Sequence, residues 1–136
     1  MQIMVVDGQG GRIGCEIIEE IVSRKIDCSI LAIGTNSQAT AQMLKAGAAM
    51  GASGENPIIV NAPKADIIAG PIGIIAANSL LGEITPAMAA AISESPAEKV
   101  LIPVSRCHVK VAGSREMKVS EYIKDTVDII AQMLSQ

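Results

Sequence analysis

The chain has 136 residues, with 11 Lys+Arg against 14 Asp+Glu, and is 49% hydrophobic and 18% charged. That length is one domain, and the composition is too apolar and too weakly charged for a disordered chain. A net charge of −3, no Lys/Arg cluster and a single aromatic residue, Tyr122, exclude the basic stripe and stacking rings that nucleic-acid binders use.

The opening residues carry no basic segment or cleavage pattern, and no stretch reaches the ~18 apolar residues of a membrane span. No membrane partner is expected. Cys15, Cys28 and Cys107 are odd in number and widely spaced, so neither a disulfide framework nor a zinc site is written here, and a cytoplasmic location is expected.

In chain order, Gln2 to Val6 reads as a buried strand, and Ile13, Ile17, Ile18, Ile21 and Val22 recur at helical spacing. Glu16, Glu19, Glu20 and Arg24 fall on the opposite, solvated face, with Glu20 and Arg24 four apart. Ser29 to Ile33 reads as a second strand, and Asn36 or Ser37 caps a helix that runs to about Ala46 and stops at Gly47. Gly47 to Pro57 reads as a loop. Ile58 to Asn61 and Asp66 to Ala69 are strand candidates joined by only four residues, Ala62 to Ala65. A parallel crossover needs about a dozen, so the two pair antiparallel or one of them is not a sheet strand.

Ile72 to Leu81 is apolar nearly all round and reads as a helix that needs cover on every side, for which a homo-oligomer is expected. Thr85-Pro86 opens the Ala-rich helix of Pro86 to Ser93. Val100 to Pro103 and Val109 to Ala112 read as strands of a hairpin or of one long bulged strand. Val119, Ile123, Val127, Ile130 and Leu134 stripe a terminal helix. The fold class expected is a single α/β domain over residues 1 to 136. It is a three-layer, Rossmann-like, doubly wound and mostly parallel sheet, with an antiparallel hairpin admitted at one edge.

Between the first strand and first helix stands Asp7-Gly8-Gln9-Gly10-Gly11-Arg12-Ile13-Gly14. Glycines there permit positive φ, let backbone N–H groups approach a phosphate, and let the helix pack close, while the helix start supplies partial positive charge. Gly8, Gly11 and Gly14 follow a G-x-x-G-x-x-G pattern, which resembles the dinucleotide loop of dihydrodipicolinate reductase and of atypical short-chain reductase relatives. The resemblance implies a phosphate cradle, with Arg12 available to an adenosine. Across its length the chain also resembles a small family of uncharacterised bacterial proteins of unknown function. The runs that carry this resemblance are Asp7 to Gly11, Gly34-Thr35-Asn36, Gly51 to Asn56 and Gly70-Pro71-Ile72-Gly73.

An NAD site ordinarily has an acid about 20 residues after the loop, at the end of the second strand. No Asp or Glu occurs from Cys28 to Gly54, which disfavours NAD and leaves NADP, another nucleotide, or a loop that binds nothing. The candidate binding residues are Gly8, Gln9, Gly10, Gly11, Arg12, Ile13, Gly14, Thr35, Asn36, Gly70, Pro71, Gly73 and Arg106. Glu55 and Asn56 follow glycines and are further candidates to reach the site. Cys15 could gain a lowered pKa from the helix start. Cys107 and His108 point to opposite faces of a strand and do not pair. No catalytic residue and no metal is assigned. The reading is thus a nucleotide or NADP-like dinucleotide binding protein; if it is an enzyme, it is an NADP-dependent reductase of a small substrate. The alternative is a structural or regulatory homo-oligomer whose glycine turn binds nothing.

Overall fold

The first apolar run forms a strand, β1 (Gln2–Asp7), in which Ile3, Met4, Val5 and Val6 are fully buried. Such a strand needs cover on both faces. In the computed structural model, which describes residues 1–104 and 108–136, that cover comes from helices. After β1 come α1 (Arg12–Ser23), β2 (Ser29–Gly34), α2 (Ser37–Ala46), β3 (Met50–Ser53) and α3 (Glu55–Asn61). Then follow β4 (Ile67–Pro71), α4 (Pro86–Glu94), β5 (Glu98–Ile102) and α5 (Val119–Leu134), with short 3-10 turns at Ala62–Lys64 and Ile72–Ile75 on either side of β4.

The five strands lie in the order β3-β2-β1-β4-β5, and every neighbouring pair is parallel. Side chains alternate between the two faces. Ile3, Val5, Ile30, Ala32, Ile67 and Ala69 pack with α1, α2 and α5, whereas Met4, Val6, Leu31, Ile33 and Ile68 pack with α3 and α4. Each fully buried Ile or Met contributes roughly 1.5–3 kcal/mol, so these two layers dominate stability. The chain runs outward from β1 to β2 and β3, then returns to β4 on the other side of β1. Connectivity therefore reverses between β1 and β4, and the carboxyl ends of those strands flank an open crevice.

The antiparallel edge hairpin is not seen: the sheet is parallel throughout, and among the described residues 109–112 form no strand. Ile58 to Asn61 lies in α3 rather than in a strand, with only Ile58 buried while Ile59 and Val60 face outward. The sheet strand comes instead from the glycine-rich stretch expected to be a loop. There Met50, Gly51, Ala52 and Ser53 pair with Leu31 to Gly34. Thus the crossover between parallel strands runs from β3 through α3 to β4, which gives it the length that residues 62–65 alone lack.

Ile72 to Leu81 is not a continuous helix. It forms the 3-10 turn Ile72–Ile75 and then a run of tight turns in which Asn78, Leu80 and Leu81 have positive φ. Ile74 is fully buried in the chain's own core. The apolarity of this segment is thus partly met within the protomer.

The remaining sequence boundaries hold closely. Asn36 caps α2, its side chain accepting the Ala39 N–H at 2.8 Å, and Gly47 closes that helix. Thr85 caps α4 by accepting the Met88 N–H at 3.1 Å, with Pro86 in the first turn. On α5, Ile123, Val127 and Ile130 face the core. Arg24 is more than a solvated end of α1: it bonds Glu20 and reaches Asp128 of α5, both at 2.7 Å.

Candidate functional site

The glycine loop leaves the carboxyl end of β1 through a turn closed by the Gly11 N–H donating to the Gly8 carbonyl at 2.9 Å. Gly11 caps α1 at φ 75°, a left-handed conformation, and a Cβ there would lie 3.0 Å from the Ala39 backbone. Gly14 lets α1 pass beside α2, since a Cβ at that position would meet the Met43 Sδ at 2.5 Å. Gly10 differs from both: its Cβ would meet nothing within 4 Å.

Two carboxylates organise the loop. Asp7 is buried, and its oxygens accept the N–H groups of Gly8 and Gly14, each at 2.7 Å. Burial pushes its pKa above the ordinary value, against the opposing effect of the N–H groups of Gly14, Gly8 and Ile13; the neighbouring Glu83 raises it further. Glu83 arrives from the turn before α4. Its Oε1 accepts the Gln9 N–H at 2.8 Å, the Thr35 hydroxyl, and Asn36 Nδ2 at 3.0 Å. Partial burial alone would raise its pKa, but those three donors outweigh it and hold the carboxyl below its ordinary value. Asn36 Nδ2 also donates to the Gln9 carbonyl at 3.0 Å, so the end of β2 is tied directly to the loop.

On the other side of the loop, over the β1–β4 reversal, lies a cleft of about 360 Å³. Residues 7–13 form its polar wall, and Pro71, Leu80, Val104 and Val119 form its apolar wall. Within the loop, Asp7 takes the Gly8 and Gly14 N–H groups and Glu83 takes that of Gln9, while those of Gly10 and Arg12 meet no acceptor among the described residues. A cleft with a polar arc on one side and an apolar wall on the other can take a ligand that is polar at one point and apolar alongside.

The sequence candidates divide accordingly. Gly8, Gln9, Gly10, Gly11, Arg12, Ile13 and Pro71 line the cleft. Thr35 and Asn36 lie across the loop from it and hold Glu83. The Arg12 side chain is 77% exposed and lies 3.5 Å from Glu16. Gly70 is needed for close packing, since a Cβ there would strike the Val6 carbonyl, and the Gly73 carbonyl accepts the Ser79 hydroxyl. Those two glycines seat the turns that carry Leu80 and Glu83. Glu55 and Asn56 open α3 and do not line the cleft. Arg106 and Cys107 lie outside the described residues. Burial, and then Glu19, Asp7 and Glu16, raise the Cys15 thiol pKa rather than lowering it, which makes it a poor nucleophile. Among the described residues no cluster of His, Cys, Asp or Glu could hold a metal, and no helix is long and apolar enough to cross a membrane.

Sequence reasoning missed Glu83, Leu80 and the anchoring role of Asp7. One signal pointed to Glu83: it is the only charged residue from Ile67 to Ser93, in a stretch otherwise apolar or neutral. Its partners stand 48 and 74 positions away, however, and only the fold joins them. No curated protein matches the chain. The family described as "Domain of unknown function (DUF3842)" matches residues 2–135, nearly the whole length, and the chain belongs to that family.

Proposed function

We propose that this protein binds a nucleotide or dinucleotide, with a phosphate resting on the glycine loop. The observation that carries the reading is the coincidence, at the reversal between β1 and β4, of the loop, the start of α1 and the cleft. The N–H groups of Gly10 and Arg12, without an acceptor among the described residues, are the donors for that phosphate. A buried carboxyl with a raised pKa beside a cleft, as Asp7 is, is a further mark of a functional position, because its burial costs stability at neutral pH. Resemblance of the loop to those of dinucleotide reductases supports the same ligand class. In this reading the protein is a binding module, and reductase chemistry would require a substrate group in the apolar half of the cleft.

Gly10 supplies the clean test. A side chain there has open space and no positive-φ penalty, so Gly10→Asp should fold like the parent while placing a carboxylate beside the phosphate position. The assay is a thermal-shift panel of NAD, NADH, NADP, NADPH, ATP, GTP and coenzyme A on ligand-stripped protein. A ligand at a hundred times its Kd adds about 2.7 kcal/mol, which moves the midpoint by several degrees. At least one nucleotide should shift the parent and leave Gly10→Asp unmoved, with equal midpoints in the absence of ligand. No shift with any of them, or equal shifts in both proteins, would turn the reading to a structural turn.

A further inference from the structure

We infer that Glu83 is the residue that receives the ribose hydroxyls of the bound nucleotide, and hence that the ligand carries a free 2′,3′-diol rather than a 2′-phosphate. This rests on the nucleotide reading above and deepens it. The expectation of NADP came from the lack of an acid between Cys28 and Gly54. In the folded chain a carboxylate stands at the end of β2 nonetheless, delivered by the turn before α4 and bonded to Thr35 and Asn36.

The two oxygens of Glu83 are used unequally. Oε1 takes all three donors, Gln9 N–H, Thr35 Oγ1 and Asn36 Nδ2, which fixes the carboxylate in place. Oε2 accepts from none of the described residues and is not among the buried unpartnered atoms. A carboxylate anchored through one oxygen and open at the other is a preorganised acceptor for hydroxyl groups.

Its position along the loop agrees. Oε1 lies 2.9 Å from where a Gly8 Cβ would stand, while the unpaired donors are at Gly10 and Arg12. Gly10 is two residues from Gly8, at most about 7 Å of chain, so its N–H and the Glu83 carboxylate are close enough to meet one ribose 5′-phosphate. The hydrogen bonds that hold Glu83 ionised also make its surroundings hostile to a 2′-phosphate, which would bring a second negative charge against the first. Arg12, the loop's own cation, is 77% exposed and lies beside Glu16, and among the described residues no cation bonds Glu83.

The test compares ligands that differ only at the 2′ position. Binding of NAD⁺ and NADP⁺, and of adenosine and guanosine 5′-diphosphates beside their 2′-deoxy forms, is measured by titration calorimetry on the parent protein. The parent should favour NAD⁺ over NADP⁺, and the ribo forms over the deoxy forms, by about tenfold or more, the worth of one hydrogen bond to a charged group. Glu83→Gln keeps the Oε1 acceptor and the side-chain volume but removes the charge and puts a donor in place of Oε2, so it should erase the preference for NAD⁺ over NADP⁺ and reduce that for the ribo over the deoxy forms. A parent that binds ribo and deoxy ligands alike, or prefers NADP⁺, overturns the role of Glu83 while leaving the phosphate cradle standing, provided Gly10→Asp still abolishes binding. Binding of none of these ligands by the parent overturns both readings. The comparison on the parent decides the matter even if Glu83→Gln folds poorly.

Discussion

The Asp7 carboxylate accepts the Gly14 N–H at 2.7 Å, closing the glycine loop end to end with a charge buried beneath it. Its other oxygen takes the Gly8 N–H, so one side chain defines both ends of the turn. The arrangement shapes the loop at a cost, because desolvation outweighs the hydrogen bonds and raises the Asp7 pKa.

A pH dependence of stability follows. With its folded pKa above the ordinary 3.8, Asp7 binds its proton more readily in the native state. Its favourable contribution is therefore full below the unfolded value and is lost as pH rises through the folded one. Urea unfolding from about pH 3 to pH 7 should show the parent losing stability relative to Asp7→Asn as pH rises. A difference constant across that range would contradict the raised pKa. Because Glu83 contributes to the shift, Glu83→Gln should move the Asp7 carboxyl titration, read by NMR, to lower pH.

Gly70 lies in β4 beside Val6 of β1. A Cβ there would strike the Val6 carbonyl, which is backbone and cannot turn aside. Gly70→Ala should lose about 3 kcal/mol or more by overpacking between two central strands, measured as a lower urea midpoint. Gly10→Ala, in open space, is the control and should change stability little.

Thr40 fastens the outer strands at the same edge of the sheet. Its hydroxyl accepts the Gly34 N–H at 3.0 Å and contacts the Ala52 carbonyl at 3.0 Å and the Ser53 hydroxyl at 2.7 Å. Thr40→Val keeps the shape but removes the oxygen that accepts the Gly34 N–H and bonds Ala52 and Ser53, a loss of about 1–3 kcal/mol. Thr40→Ser, which keeps the oxygen, should recover much of it. Equal losses in the two variants would mean that the methyl group, rather than the hydroxyl, matters.

Leu81 is 95% exposed at φ 57°, a left-handed backbone with a side chain that contributes little packing. Leu81→Gly should raise stability by up to about 1 kcal/mol by relieving a conformation that costs L residues that much or more. The same replacement at Leu80, also left-handed at φ 55°, should give less, because Leu80 lines the cleft wall. A lower midpoint for Leu81→Gly would show that the loop is held by something other than backbone strain.

Where local pattern and chain neighbours decide, the sequence was readable. The β1 run, the loop from Asp7 to Gly14, the caps of α2 and α4 and the stripe of α5 all announce themselves through periodicity, glycine and capping residues. The third strand did not, because Met50-Gly51-Ala52-Ser53 has no strand pattern of its own and becomes extended by pairing with β2. Ile58 to Asn61 misled for the opposite reason: β-branched residues favour a strand in isolation, yet this segment forms a helix in the crossover, burying Ile58 alone. In the candidate site, the loop was legible, and the residue that completes it was not. Local sequence determined a glycine turn feeding a helix. Only the tertiary structure brought Glu83 to Gln9, Thr35 and Asn36, because those contacts join distant segments whose meeting depends on the strand order and the turns after β4.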